Sequence, residues 1–113
     1  MRKPRVKRQP LLLGILKIDL SKFAPLMEMY STNEEEVISK SRLPRIVECR
    51  FLIMYFLLKN GLSFQDIATK FNKDRTSVIH ADNTIRGYLD VYPKFKTQVA
   101  EIEKCLFETN SNT

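Results

Sequence analysis

An all-α domain is predicted from three features of the sequence. From about Ser21 onward, apolar residues recur three and four positions apart, the spacing of one helix face. No stretch alternates polar and apolar in the strand period, and no hairpin dipeptide joins two such runs. Pro44, the pair Asn60-Gly61 and Pro93 stand where helices start or stop, cutting the chain into short helices. With 113 residues the chain is one small domain with a modest core. The layout divides into a basic arm and apolar segment over 1–20, a helical domain over 21–108 and a frayed tail, "TNSNT", over 109–113.

The elements follow in order. "SKFAPLMEMY" starts at Ser21 as N-cap, with Pro25 tolerated in the first turn. "TNEEEVISK" places Thr32 three residues before Glu35, the spacing of a capping box, and the acidic run Glu34–Glu36 complements the positive end of the helix dipole. Pro44 opens the most apolar helix, on which Ile46, Cys49, Ile53 and Leu57 form a stripe widened by Val47, Met54 and Leu58. This is the central post of the core. Asn60-Gly61 ends it, because glycine reaches the left-handed conformation without strain.

In "SFQDIATKF", Ser63 is the N-cap, Asp66 holds the capping-box position, and Phe64, Ile67 and Phe71 face inward. Two turn residues, Asn72 and Lys73, lead to Asp74, a natural N-cap for "RTSVIHADNTIRGYLDVY". On that long helix Val78, Ala81, Ile85 and Leu89 share one face, while Arg75, Thr76, Ser77, His80 and Thr84 fall toward solvent. Gly87 inside it costs about 1 kcal/mol against alanine, and close helix packing is the reading that explains it. Pro93 begins the last helix, with Phe95, Val99, Ile102 and Leu106 as its stripe. Cys49 and Cys105 both lie in apolar helical patterns, so both are read as buried, reduced thiols suited to a reducing cytosol. With one histidine and no CxxC pair, no metal site is implied.

The net charge of +6 is unevenly spread. Arg2, Lys3, Arg5, Lys7 and Arg8 form the arm; without them 14 basic residues face 13 acidic ones, a balance of +1. Bulk charge therefore does not mark the helical body as a nucleic-acid binder. Any basic surface there must come from local clusters, such as Lys40, Arg42, Arg45 and Arg50, or Lys70, Lys73 and Arg75. Two readings of the arm stand, a nonspecific grip on phosphates and a solubilising tail. The apolar run after the arm stops at Lys17 and has no small-residue cleavage site, so no export signal is read and the location expected is the cytoplasm. No stretch is long enough to span a membrane.

Two short helices joined by a tight turn, the second with a polar first turn, follow the plan of a helix-turn-helix. The start of the second helix enters the major groove in that motif. Asp74 is suited to accept from cytosine N4, Arg75 to donate to guanine O6 and N7, and Thr76 to pack its methyl on thymine. Asp74 also reads simply as an N-cap. The start of the preceding helix, at Ser63, Phe64 and Gln65, offers backbone amides to a phosphate.

The stretches "KSRLPRIVECRFLIMYFLL", "LSFQDIATKF" and "DRTSVIHA" resemble the C-terminal DNA-binding domain of the bacterial replication initiator DnaA. The resemblance runs from about Leu26 to Leu106. It rests on the Lys-Ser-Arg before the Met-Tyr-containing helix and on that family's Asp-His-Thr-Thr-Val-x-His-Ala motif. It implies a Trp-repressor-like helix-turn-helix bundle that binds double-stranded DNA, in replication initiation or its control. It further implies Arg42 in the minor groove, Asp74, Arg75, Thr76 and Ser77 as the base- and phosphate-contacting quartet, and His80 at the family's second histidine. Ser63 and its neighbours match the phosphate clamp, with Lys73 in the turn between.

Two departures fall where bases are read. The motif's first histidine is Arg75 here, a permanent cation, and the turn is one residue shorter than the common Gly-Gly-Arg version. There is no GxxxxGK[ST] loop for nucleotide, and no Ser-His-Asp or paired-carboxylate arrangement. The sequence thus reads as a binding domain rather than an enzyme, with no cofactor. The other reading is an interaction module on the same fold, docking on a replication protein through "LLLGILKIDL", residues 11–20; that segment reads equally as an extra helix packed on the domain. RNA is disfavoured, since aromatic platforms for stacked bases are lacking.

Overall fold

Helix start and stop signals divide the chain into six α-helices in the computed structural model, which describes residues 20–108: α1 (Ala24–Met29), α2 (Glu34–Ile38), α3 (Pro44–Lys59), α4 (Phe64–Lys70), α5 (Arg75–Val91) and α6 (Pro93–Glu103). A 3₁₀ turn, Leu20–Phe23, leads into α1, and a π-helical turn, Lys104–Glu108, follows α6. No strand occurs among the described residues, and the all-α expectation holds. The basic arm, the leucine-rich run before Leu20 and the tail lie outside the described residues.

Helix α3 is the post around which the rest is laid. Ile46, Cys49, Leu52, Ile53, Met54, Phe56 and Leu57 are all buried on it. A helix this apolar is covered on several sides: α5 packs most extensively against it, with α2 and α4 flanking and α6 set against α5. Phe23 stacks on Phe56 with ring centroids 6.3 Å apart. Val78, Ala81 and Ile85 are fully buried on α5, and Val99, Ile102 and Leu106 close the far side.

Three of the helix ends share one device. Ser31 after α1, Gly61 after α3 and Asn72 after α4 have φ of +54°, +96° and +55°. Each is followed by a residue whose N–H reaches back a full turn: Thr32 to Met27 O (2.9 Å), Leu62 to Leu57 O (3.2 Å), Lys73 to Ala68 O (2.8 Å). These are Schellman caps, which satisfy otherwise orphaned carbonyls while reversing the chain. Asparagine tolerates the left-handed conformation better than most residues, so the two-residue link Asn72-Lys73 suffices to turn α4 into α5.

The caps at helix starts differ from the sequence reading in three places. Ser21 lies within the 3₁₀ turn, and the N-cap position of α1 falls on Phe23, with no side-chain bond. The cap of α2 is Asn33, whose Oδ1 accepts from Glu36 N–H (2.9 Å), while Thr32 donates to Glu36 Oε1 (2.8 Å); the cap is shifted by one residue because the helix begins at Glu34, which leaves Asn33 in the extended N-cap conformation and Thr32 one position outside it. Asp74 has the extended backbone of an N-cap, but its carboxylate makes no capping bond. Ser63 caps α4 as expected, accepting from Asp66 N–H at 3.0 Å.

Two core expectations are corrected. Cys105 is exposed, unlike Cys49: it lies in the π turn after α6, where its neighbour Leu106 is the residue that turns to the core. Gly87 is exposed, and a Cβ built there meets nothing within 4 Å, so close packing does not explain it.

Candidate functional site

The loop between α2 and α3 lies against the start of α5, and the two enclose a cleft of about 730 Å³. Lys40 and Arg42 come from the loop, Lys73 from the α4–α5 turn, and Thr76, Ser77 and His80 from the first two turns of α5. Its floor is Phe51, Met54 and Arg50 of α3.

Arg50 is what gives the loop its shape. Although charged, it is only 5% exposed. Its guanidinium donates to three main-chain oxygens: Nε to Val37 O (2.7 Å), and Nη2 to Ser39 O (3.0 Å) and Ser41 O (3.1 Å). Three carbonyls at the end of α2 and in the loop are thereby fixed to the central helix. Burial pulls the Arg50 pKa below its ordinary value. The sequence reading placed Arg50 and Arg45 in a surface basic cluster, and both are otherwise engaged. Arg45 donates to Tyr30 O (3.2 Å) and Ser31 O (2.6 Å) and lies 4.0 Å from Glu36. Lys40 and Arg42 remain exposed, and Arg42 forms no ion pair with a described acid.

Lys73 is half-buried at the mouth of the cleft. Its pKa is lowered, first by burial and then by the charges of Arg50, Lys40 and Arg42. Four cations thus converge with no carboxylate among the cleft's lining residues, the potential of an anion-binding surface. His80 is exposed, its ring edge-on to Phe51 at 5.8 Å, so the imidazole is propped against an aromatic wall. Thr76 and Ser77 line the same space and are exposed.

Of the residues singled out from the sequence, Arg42, Lys73, Thr76, Ser77 and His80 meet in this cleft. Asp74 and Arg75 are exposed at the start of the same helix but do not line it. Ser63, Phe64 and Gln65 stand apart from it at the start of α4. Ser63 Oγ is used as a cap, Phe64 is half-buried against the core, and Gln65 is exposed with Nε2 3.4 Å from Thr69 Oγ1. The amides of Phe64 and Gln65 are first-turn donors with no intrahelical acceptor. Lys40 had a place in the sequence reading only as charge, and Phe51 had none. The signal for Arg50 was present, since it is four residues after Ile46 and three before Ile53, inside the apolar stripe.

Among the described residues no group of His, Cys, Asp and Glu could hold a metal ion, and no helix is long and apolar enough to cross a membrane.

Comparison with known proteins points the same way. The family model described as "Bacterial dnaA protein helix-turn-helix" matches residues 25–85, a span that contains the Arg42 loop, α4 and the first part of α5. The chromosomal replication initiator protein DnaA of Bacteroides thetaiotaomicron is 41% identical over 71 residues, covering 60% of this chain. The chain corresponds to 15% of that relative's length.

Proposed function

Since the chain belongs to the bacterial dnaA helix-turn-helix family, we propose that it binds double-stranded DNA sequence-selectively, in replication initiation or its control, and acts in the cytoplasm. The observation that carries this reading is the cleft itself, where Lys40, Arg42 and Lys73 face Thr76, Ser77 and His80. A duplex seated there has α5 in its major groove and the Arg42 loop at the neighbouring minor groove.

The roles follow from chemistry. Asp74 spends no oxygen on capping α5, which leaves its carboxylate for a cytosine N4 amine. Arg75 offers the paired donors that match guanine O6 and N7, and Thr76 brings a methyl for thymine. Ser77, His80, Lys73 and the amides at Ser63, Phe64 and Gln65 serve phosphates, which position the protein without specifying sequence. Phosphate next to Lys73 also relieves the crowding of cations there. Arg75, in place of the family's histidine, shifts the preference toward guanine at the base it meets. The reading assigns no catalysis, nucleotide or cofactor.

The alternative is a module that docks on a replication protein. It draws on a groove of about 280 Å³ between α1 and α6, where Pro25, Leu26, Met29, Ile102 and Leu106 are joined by Cys105 and by the polar Gln98 and Glu101. One experiment separates the two: selection of binding sites from a random duplex pool at near-physiological salt. Sequence-selective binding yields an enriched motif, and Arg42→Ala or Asp74→Ala then each cost about 1–3 kcal/mol on that motif and much less on random duplex. No enrichment from the folded protein overturns the DNA reading in favour of the docking module.

A further inference from the structure

Leu43 is ill-suited to its position on stability grounds. It occupies the N-cap of α3, and no side-chain bond caps that helix. Serine, threonine, aspartate and asparagine suit such a position, because their oxygens accept from first-turn amides; leucine is among the residues least able to do so. Nor does Leu43 gain burial in exchange, since it is 52% exposed.

Its mounting is rigid. Pro44 confines the preceding residue to extended conformations, and Leu43 has φ −61° and ψ 131°. Its N–H donates to Ser41 Oγ (3.3 Å), and its carbonyl accepts from Ile46 and Val47 (3.0 and 2.9 Å). Arg50 clamps the carbonyls of Ser39 and Ser41 just before it. An isolated surface leucine ordinarily means little. This one stands on a fixed stalk, at the expense of a helix cap, one residue from the arginine assigned to the minor groove.

Proteins that work in the minor groove press apolar side chains, leucine among them, between base pairs; the step is partly unstacked and the duplex kinks. We infer that Leu43 is such a wedge: it enters the minor groove beside Arg42, unstacks one base step and bends the duplex. The inference rests on the DNA reading above and adds a source of selectivity, because flexible pyrimidine–purine steps yield to a wedge most easily.

The test uses the full chain and the duplex enriched from the random pool, carrying 2-aminopurine at successive steps and a donor–acceptor dye pair at its ends. With the unsubstituted protein, 2-aminopurine emission rises at one step next to the Arg42 contact, and the duplex ends approach each other. Leu43→Ser abolishes both signals and weakens binding roughly tenfold, while its melting temperature stays level or rises because the new hydroxyl caps α3. Leu43→Met, which keeps an apolar side chain of similar reach, retains both signals. A Leu43→Ser protein that unstacks and bends the duplex like the parent overturns the wedge alone and leaves the DNA reading standing. A pool with no enriched duplex overturns both.

Discussion

Arg50 is a cation held by main-chain oxygens, with no carboxylate among its hydrogen-bond partners. Hydrogen bonds from a charged donor are each worth more than neutral ones, and a buried carbonyl left without its partner is costly. Arg50→Met keeps the apolar stem and strips the bonds, so it should lower stability by about 2–4 kcal/mol, read as a reduced urea midpoint. Arg50→Lys should recover only part, because one ammonium cannot reproduce the planar fork. Two other groups, the half-buried Tyr30 and the buried Cys49, contribute to the alkaline limit of the fold. Burial, followed by the bond donated to Glu48 Oε2 (2.5 Å), raises the Tyr30 phenol above its ordinary 10.0. Burial pushes the Cys49 thiol from 9.0 up to about 12. Both keep their protons in the fold while the unfolded chain ionises. Their stabilising effect is therefore complete below pH 9 and is lost as pH climbs toward 12. Lys73 has the opposite sign: its lowered pKa gives a contribution that grows as pH approaches 10.5. Urea midpoints measured across the alkaline range should fall less steeply for Cys49→Ala and Tyr30→Phe, and more steeply for Lys73→Gln.

At the scale of the helix, ends matter more than middles. Ser31, Gly61 and Asn72 all take the left-handed conformation, but only one of them is glycine. A side chain there costs about 1–2 kcal/mol, less for asparagine, so Ser31→Gly should raise the melting temperature. Gly87 is the reverse case, a glycine in mid-helix with open space around it. Gly87→Ala should stabilise by about 0.5–1 kcal/mol, measurable in the same thermal melts. The existence of the helices was legible because their stripes are long and regular: Ile46 to Leu57 and Phe95 to Leu106 could face only one way. Their caps were less so. Whether Thr32 or Asn33 bonds to an amide, or whether Asp74 bonds to any, depends on the reach of one oxygen, which no periodicity encodes. The polar segment Asp74–Ser77, to which base reading is assigned above as a proposal, stood out for a related reason: it interrupts an apolar rhythm, and the structure leaves those side chains exposed. Arg50 was misplaced because a charged residue counts as surface until an acceptor set is known for it.

For the molecule as a whole, two clusters of cations stand out. The cleft gathers Lys40, Arg42 and Lys73 over the buried Arg50, whereas five more cations are concentrated in residues 2–8 of the sequence. If the arm also grips phosphates, deleting residues 2–8 should flatten the plot of log affinity against log salt by up to about 4.5, near 0.9 per phosphate released, and leave the enriched motif unchanged. A slope that does not move assigns the arm to solubility. The two cysteines have a consequence of another kind. Native protein presents a thiol-reactive dye with a single accessible thiol, Cys105, while Cys49 is sealed on the core side of α3. The second equivalent of dye is consumed only when the core comes apart. The delay between the two reactions is a built-in stopwatch for that opening, readable in the unaltered chain with or without DNA.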